Sequence, residues 1–229
     1  MKALVFDAGP VISFATNNLL WLLEDLKKKF NGSFYIPESV KYELVQRPIE
    51  TKKFKFEAMQ VMREIKKENL TVIKSEKIAK EKEELLELAN SIFSANGKDL
   101  RIVHSGEIEA IALAKFLEAP AIVIDERTTR LLLENPEKLV NIFGHKMNAK
   151  ITIDNKALKE FQIRTSGIKA IRSVELAMIA YENKMLDLYL PEIPNSHKQL
   201  IQGVLWGLKL RGCSITRKEI DQLVKMEIN

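Results

Sequence analysis

Two aspartates in this 229-residue chain close short apolar runs: Asp7 follows Ala3–Phe6 (ALVF), and Asp125 follows Ala121–Ile124 (AIVI). Apolar runs of this kind read as strands, and in open parallel sheets ligands bind beyond the carboxyl ends of the strands. Two acids at such ends would meet in space. Glu43, on the helix after a second strand, and Glu107, in the first turn of the helix ahead of AIVI, are the candidates to join them. Four carboxylates brought together at neutral pH repel one another strongly, and a divalent cation relieves that repulsion. Oxygen-only ligands suit Mg2+ or Mn2+ rather than zinc. Such an ion can orient and activate water and stabilise charge on a phosphodiester oxygen. Each acid also has a plainer reading. An acid after a strand can be a solvent-facing turn residue, and Glu107 can simply complement the dipole of its helix.

The remaining chemistry-bearing residues are less specific. Arg127 and Arg130 follow Asp125 and could clamp a phosphate or form surface ion pairs; Thr128 and Thr129 could orient carboxylates or cap a short helix. Lys52, Lys53, Lys55, Arg63, Lys66 and Lys67 face only Glu57 and Glu64 within residues 52–67. That stretch could track a phosphate backbone or form a solvated helix face. Phe54 and Phe56 are interleaved with these lysines, which reads as one core residue and one exposed at a dimer contact or stacking position. His104 reads as structural, and His145 and His197 share no ligand spacing with it. The chain has no HExxH, CxxC, GxGxxG or GxxxxGK[ST] pattern, so zinc-protease, dinucleotide and P-loop readings lack support. Its one cysteine, Cys213, excludes an intramolecular disulfide and a thiolate metal cluster and fits a reducing cytoplasm.

The elements that must position these residues alternate between strand and helix. Strands are expected at 3–6, 33–36, 71–73 and 121–124, with weaker strand signals at 150–153 and 161–164. Helices are expected over 11–30, from Pro37 to a stop at Pro48, over 51–68, over 76–95 with Gly97 as its end, from a Ser105 cap over 106–118, and over 128–134, 172–184, 196–210 and 217–227. Thr216 and Glu219 make a capping box for the last helix. The alternation predicts an α/β fold with a mostly parallel sheet. Residues 1–150 read as that domain, with a charged helical insertion near 50–98, and residues 151–229 as a mostly helical C-terminal extension. A hydrophobic content of 46% against 29% charged excludes disorder, and the net charge of +5 permits an anionic partner without demanding one. No apolar run reaches the ~20 residues needed to span a bilayer, and an acid at position 7 is wrong for a signal-peptide core; a cytoplasmic location is expected. The excess of Lys and Glu over Gln is similar to hyperthermophile composition.

Three stretches carry a family resemblance: VFDAGPVISFA (5–15), FYIPESVKYELV (34–45) and HSGEIEAIALAKFLEAPAIVIDERTTR (104–130). Together they resemble a PIN-domain protein, closest to the archaeal and bacterial VapC-like branch with a GExEAIxLA helix. The resemblance implies a three-layer α/β/α fold around a parallel sheet and metal-dependent cleavage of RNA, in some members as the toxin of a toxin–antitoxin pair. It also implies a homodimer, an antitoxin partner in some cases, and Mg2+ or Mn2+ as cofactor. Carried over by motif, the catalytic and metal-binding acids would be Asp7, Glu43, Glu107 and Asp125. Glu109 could compete with Glu107 for the third role, with Glu38 and Glu126 as lesser alternates. Two departures stand out. Gly9 occupies the place where the family commonly has a small hydroxyl residue, and the third acid is Glu rather than Asp. Two rivals follow. One is a PIN-scaffold module for RNA or protein binding with weak or no catalysis. The other is a small phosphohydrolase, which would want a second Asp two residues after Asp7 where this chain has Gly9.

Overall fold

A computed structural model describes residues 2–190 and 192–228, without the side chain of Ile228. Its frame is a five-stranded sheet built from β1 (Lys2–Phe6), β2 (Gly32–Pro37), β3 (Thr71–Ile73), β6 (Ala121–Val123) and β8 (Lys169–Ile171). The order is β3-β2-β1-β6-β8 and every pairing is parallel. Alternation along the central strands sends successive side chains to opposite faces. Leu4 and Phe6 join one core with Phe34, Ile36 and Val123, while Ala3 and Val5 join a second with Ile122 and Ile124. This two-sided burial makes β1 and β6 nearly all apolar and forces helices onto both faces.

The first face is covered by α1 (Ala8–Thr16), α2 (Leu22–Phe30), α5 (Lys55–Lys66), α11 (Ser173–Glu182), α12 (Ser196–Leu210) and α13 (Arg217–Ile228). The second is covered by α6 (Glu76–Ser91), α7 (Ser105–Phe116), α8 (Arg127–Glu134), α9 (Glu137–Met147) and α10 (Asn155–Arg164). Between β2 and α5 run α3 (Glu38–Lys41), a π-helical turn (Tyr42–Gln46) and α4 (Arg47–Thr51). A small antiparallel sheet joins β4 (Phe93–Ala95), β5 (Lys98–Asp99) and β7 (Ile151–Ile153). The fold is therefore mixed α/β, with a central parallel sheet between helical layers and further helical elements. The segment after residue 150 supplies β8 to that sheet and α11 to its first face.

Several expected elements differ, each for a local reason. The helix expected over 11–30 begins at Ala8 and breaks after Thr16. There Thr16 and Asn17 side chains bond the carbonyls of Ile12 and Ser13, and Asn18 adopts a left-handed conformation (φ 56°). Side-chain bonds of this kind compete with helix continuation. Pro48 does not stop its helix. The π-helical turn ahead of it shifts the hydrogen-bond register, with Arg47 N donating to Tyr42 O, and Pro48 falls in the first turn of α4, where its missing N–H is tolerated. The helix expected over 51–68 starts only at Lys55, because Lys52 and Phe54 are left-handed (φ 67° and 63°).

The helix expected over 76–95 ends at Ser91. Phe93–Ala95 is a strand, turned into β5 by Asn96 and Gly97 at φ 51° and 76°, the positive-φ pair that a tight hairpin needs. Residues 161–164 are helix, not strand: Asp154 caps α10 by accepting from Lys156 N and Ala157 N, and Ala157 and Phe161 bury one helical face. Ser105 is the first residue of α7 rather than its cap, a place held by His104. The capping box at Thr216 and Glu219 is present in both directions.

The entry to β2 admits no side chain at Gly32. A Cβ there would collide with Lys2 O and lie 2.6 Å from the Phe30 ring. Gly32→Ala is expected to cost about 1–3 kcal/mol through overpacking at the β1–β2 pairing, read as a lower denaturant midpoint with an unchanged slope.

Candidate active site

Asp7 and Asp125 stand at the carboxyl ends of adjacent strands, because β1 and β6 pair with Phe6 opposite Val123. The ladder continues one step further, with Asp7 N donating to Val123 O at 3.0 Å. Asp7 also caps α1, its Oδ2 accepting from Gly9 N at 3.3 Å. Gly9 lies between the two acids: a Cβ there would come within 3.5 Å of Asp125 Cβ and 3.6 Å of Asp7 Oδ2.

Asp7 is nearly withdrawn from water, at 8% exposure. Burial pushes its carboxyl up to about 7; the amides of Ala8 and Gly9 pull it down, and the charges of Glu107 and Glu43 push it further up. Three of the four candidate acids thus share one electrostatic neighbourhood. Glu107, the third residue of α7, accepts from His104 N at 3.0 Å and from Thr129 Oγ1 at 2.9 Å through Oε2. Its carboxyl is also raised, chiefly by burial, with the charge of Glu126 adding to it. Glu107 accordingly serves its helix terminus and faces Asp7 at once. Glu43 is exposed on the π-helical turn and leans toward the start of α7, since a Cβ on Gly106 would lie 3.9 Å from Glu43 Oε2.

Asp125 is held differently. At 3% exposure, its Oδ1 accepts from Ser173 N at 2.8 Å, and its Oδ2 accepts from Ser13 Oγ at 2.9 Å and Ser173 Oγ at 2.8 Å. Its backbone carbonyl accepts from Ser214 N at 3.2 Å. The loop bearing Ser214 is fastened by Arg172, whose Nη1 donates to Ser214 O and to Glu219 while Nε and Nη2 donate to Glu175. Cys213 packs against this carboxylate. Burial, then the charge of Asp125, pushes its thiol up to about 12, which makes it unreactive at neutral pH.

The alternates are occupied elsewhere. Glu109 faces Lys82 at 4.0 Å, Glu38 pairs with Lys41 at 3.8 Å, and Glu126 accepts from Thr129 N at 2.7 Å as the cap of α8. Arg130 takes the surface ion-pair role, with Glu134 at 3.3 Å, while Arg127 is exposed. Phe54 and Phe56 are both exposed rather than divided between core and surface. The sequence reading missed Ser13 and Ser173 as partners of Asp125. Ser173 follows β8 much as Asp125 follows β6, and only an assignment of the short KAI strand could have pointed to it.

The donor chemistry of Asp7, Glu43 and Glu107 fits a hard divalent cation. Among the described residues, however, no group of three or more His, Cys, Asp or Glu side chains is arranged to hold a metal ion.

A PIN-domain family model matches residues 3–139, which include all four acids. The chain belongs to the PIN-domain family. The match supports PIN-domain membership and does not single out the VapC-like branch. PIN-domain proteins often act on nucleic acids. No curated protein and no solved structure matches the chain. No helix among the described residues is long and apolar enough to cross a membrane.

Two outcomes follow for the buried acids. Between the ordinary aspartate value of 3.8 and about 7, the folded PIN domain holds a proton on Asp7 that the unfolded chain releases. Stability therefore falls as pH rises through that window. Asp7→Asn should remove this dependence and raise stability at pH 8 by up to about 4 kcal/mol, with little change near pH 4, in paired denaturation series. Ser173→Ala should cost about 1–3 kcal/mol, because a buried carboxylate loses a donor. Chemical denaturation of this variant beside Ser13→Ala checks it.

Proposed function

We propose that this PIN-domain protein is an RNA-binding module with weak or no hydrolysis. The observation that carries this reading is the hydrogen bonding of Asp125: both of its oxygens accept from Ser13 or Ser173, and no three-ligand group stands ready among the described residues. Electrostatics support it. An Asp7 carboxyl pushed up to about 7 is partly protonated at neutral pH, so the pocket repels a phosphate backbone less than four formal charges would. Exposed cations at Lys52, Lys53, Lys55, Arg63, Lys66 and Arg127 offer that backbone sites outside the pocket.

The second reading is a divalent-metal-dependent ribonuclease, acting as a toxin or in RNA processing. It is favoured by the placement of buried Asp7 within reach of the charges of Glu107 and Glu43, an arrangement that a bound cation relieves as a proton does. In that reading Asp7, Glu43 and Glu107 would hold Mg2+ or Mn2+. The ion would supply water activation and charge neutralisation at the phosphodiester. Thr129 would orient Glu107, and Ser13 and Ser173 would hold the Asp125 carboxylate in place beside Asp7.

One assay separates the two. Mixed RNA is incubated with Mg2+ or Mn2+ and either wild type or Asp7→Asn. The binding-module reading expects the two to differ in cleavage by less than about tenfold. Metal-dependent cleavage that falls about a hundredfold or more in Asp7→Asn would establish the ribonuclease instead. A melting temperature raised by Mg2+ in wild type alone would place the ion at these acids without reliance on turnover.

A further inference from the structure

Beside the acids lies a cleft of about 520 Å3 that neither reading above uses. Glu43 is common to both: its carboxylate reaches toward α7, and it lines the cleft. Ile12 and Val61 contribute to the apolar lining, Phe54 forms part of the wall, and Arg47, Lys53 and Glu57 line it as well. The volume falls in the range of about 300–1,000 Å3 found for sites that take small organic groups.

Three features of the wall point to a ligand with flat apolar faces and with anionic groups placed to meet Arg47 and Lys53 rather than the carboxylates Glu43 and Glu57 on the same lining. Phe54 is 41% exposed although it borders an apolar cleft. It is held there by a left-handed backbone (φ 63°), with Lys52 two residues earlier in the same conformation (φ 67°). Such conformations are unfavourable for residues with a Cβ and tend to persist at sites of function. Lys53 Nζ lies 5.0 Å from the ring centroid of Phe54, so the aromatic wall of the cleft carries a cation beside it. Arg47 and Lys53 form no ion pair among the described residues.

We propose that this cleft is a nucleobase subsite, in which a base of single-stranded RNA stacks on Phe54 while Arg47 and Lys53 meet the flanking phosphates and the strand passes on toward Glu43 and Asp7. The inference rests on the reading of the protein as RNA-binding, and it names the part of the nucleotide that the site recognises. Stacking on aromatic and guanidinium planes is how unpaired bases are held, and it tolerates any base because each has two π faces.

The test measures binding of the full chain, in EDTA so that no strand is cut, to a labelled single-stranded oligoribonucleotide and to an abasic ribose-phosphate strand of equal length. Wild type should bind the base-containing strand about tenfold more tightly than the abasic one, the size expected for one base–aromatic stack. Phe54→Leu should erase that difference and Phe54→Trp should keep it. Arg47→Gln should weaken both strands and lower the salt dependence; because it leaves Phe54 in place, it tests the cleft even where Phe54→Leu fails to fold. RNA binding by wild type with unchanged affinities in Phe54→Leu and Arg47→Gln would overturn the subsite and leave the RNA reading intact. No RNA binding by wild type would overturn both. Self-association lost in Phe54→Leu with RNA affinity unchanged would mark the cleft as a protein interface and overturn the subsite.

Discussion

Two carboxylates withdrawn from water at the ends of neighbouring strands impose the constraint around which this molecule is arranged. A buried carboxylate must be given donors, lose its charge or share a cation. The protein handles its two differently. Asp125 receives donors: Ser13 from α1 and Ser173 from the start of α11 give it three hydrogen bonds, and Ser214 holds its backbone. Asp7 receives two amides and little else, and it stands under the charges of Glu107 and Glu43. One acid is thus fixed by its hydrogen bonds, while the other is poised to take up a proton or a positive ion.

That difference explains why distant segments are needed. The donors of Asp125 come from residues far apart in the chain, and the loop that covers it is tied down by Arg172, which bridges Ser214, Glu175 and Glu219. The C-terminal helices are therefore part of what holds the acid end of the sheet together. Glu107 and Glu175 share a second device. Each is the third residue of its helix and accepts from the backbone N–H of the preceding cap, at His104 and Arg172. In α7 that device also turns a carboxylate toward Asp7; in α11 it anchors the Arg172 clamp.

Much of this frame was legible beforehand. Apolar runs ending in an acid identified β1 and β6 because a strand covered on both faces leaves few other patterns, and the spacing of Glu107 to Asp125 lies within one helix–strand unit. Local chemistry misled where side chains took over backbone bonds, as at Thr16 and Asn17, or where a change of helical register absorbed Pro48. Short strands such as β4 and β8 carry too few residues for an alternation to declare itself. Their identity comes from pairing partners distant in sequence.

The sequence by itself determined β1, β2, β3 and β6 with the helices α7 and α8 around the last of them, the four candidate acids and the PIN-domain family, because each is a matter of residue type and near-neighbour spacing. Only the tertiary structure decided how those acids differ. The burial of Asp7, the engagement of Asp125 by Ser13 and Ser173, and the diversion of Glu109 to Lys82 all depend on segments that meet only after folding. The same holds for the cleft walled by Phe54. A carboxylate's charge is set by what surrounds it in space, and that information is spread along the chain without a local pattern.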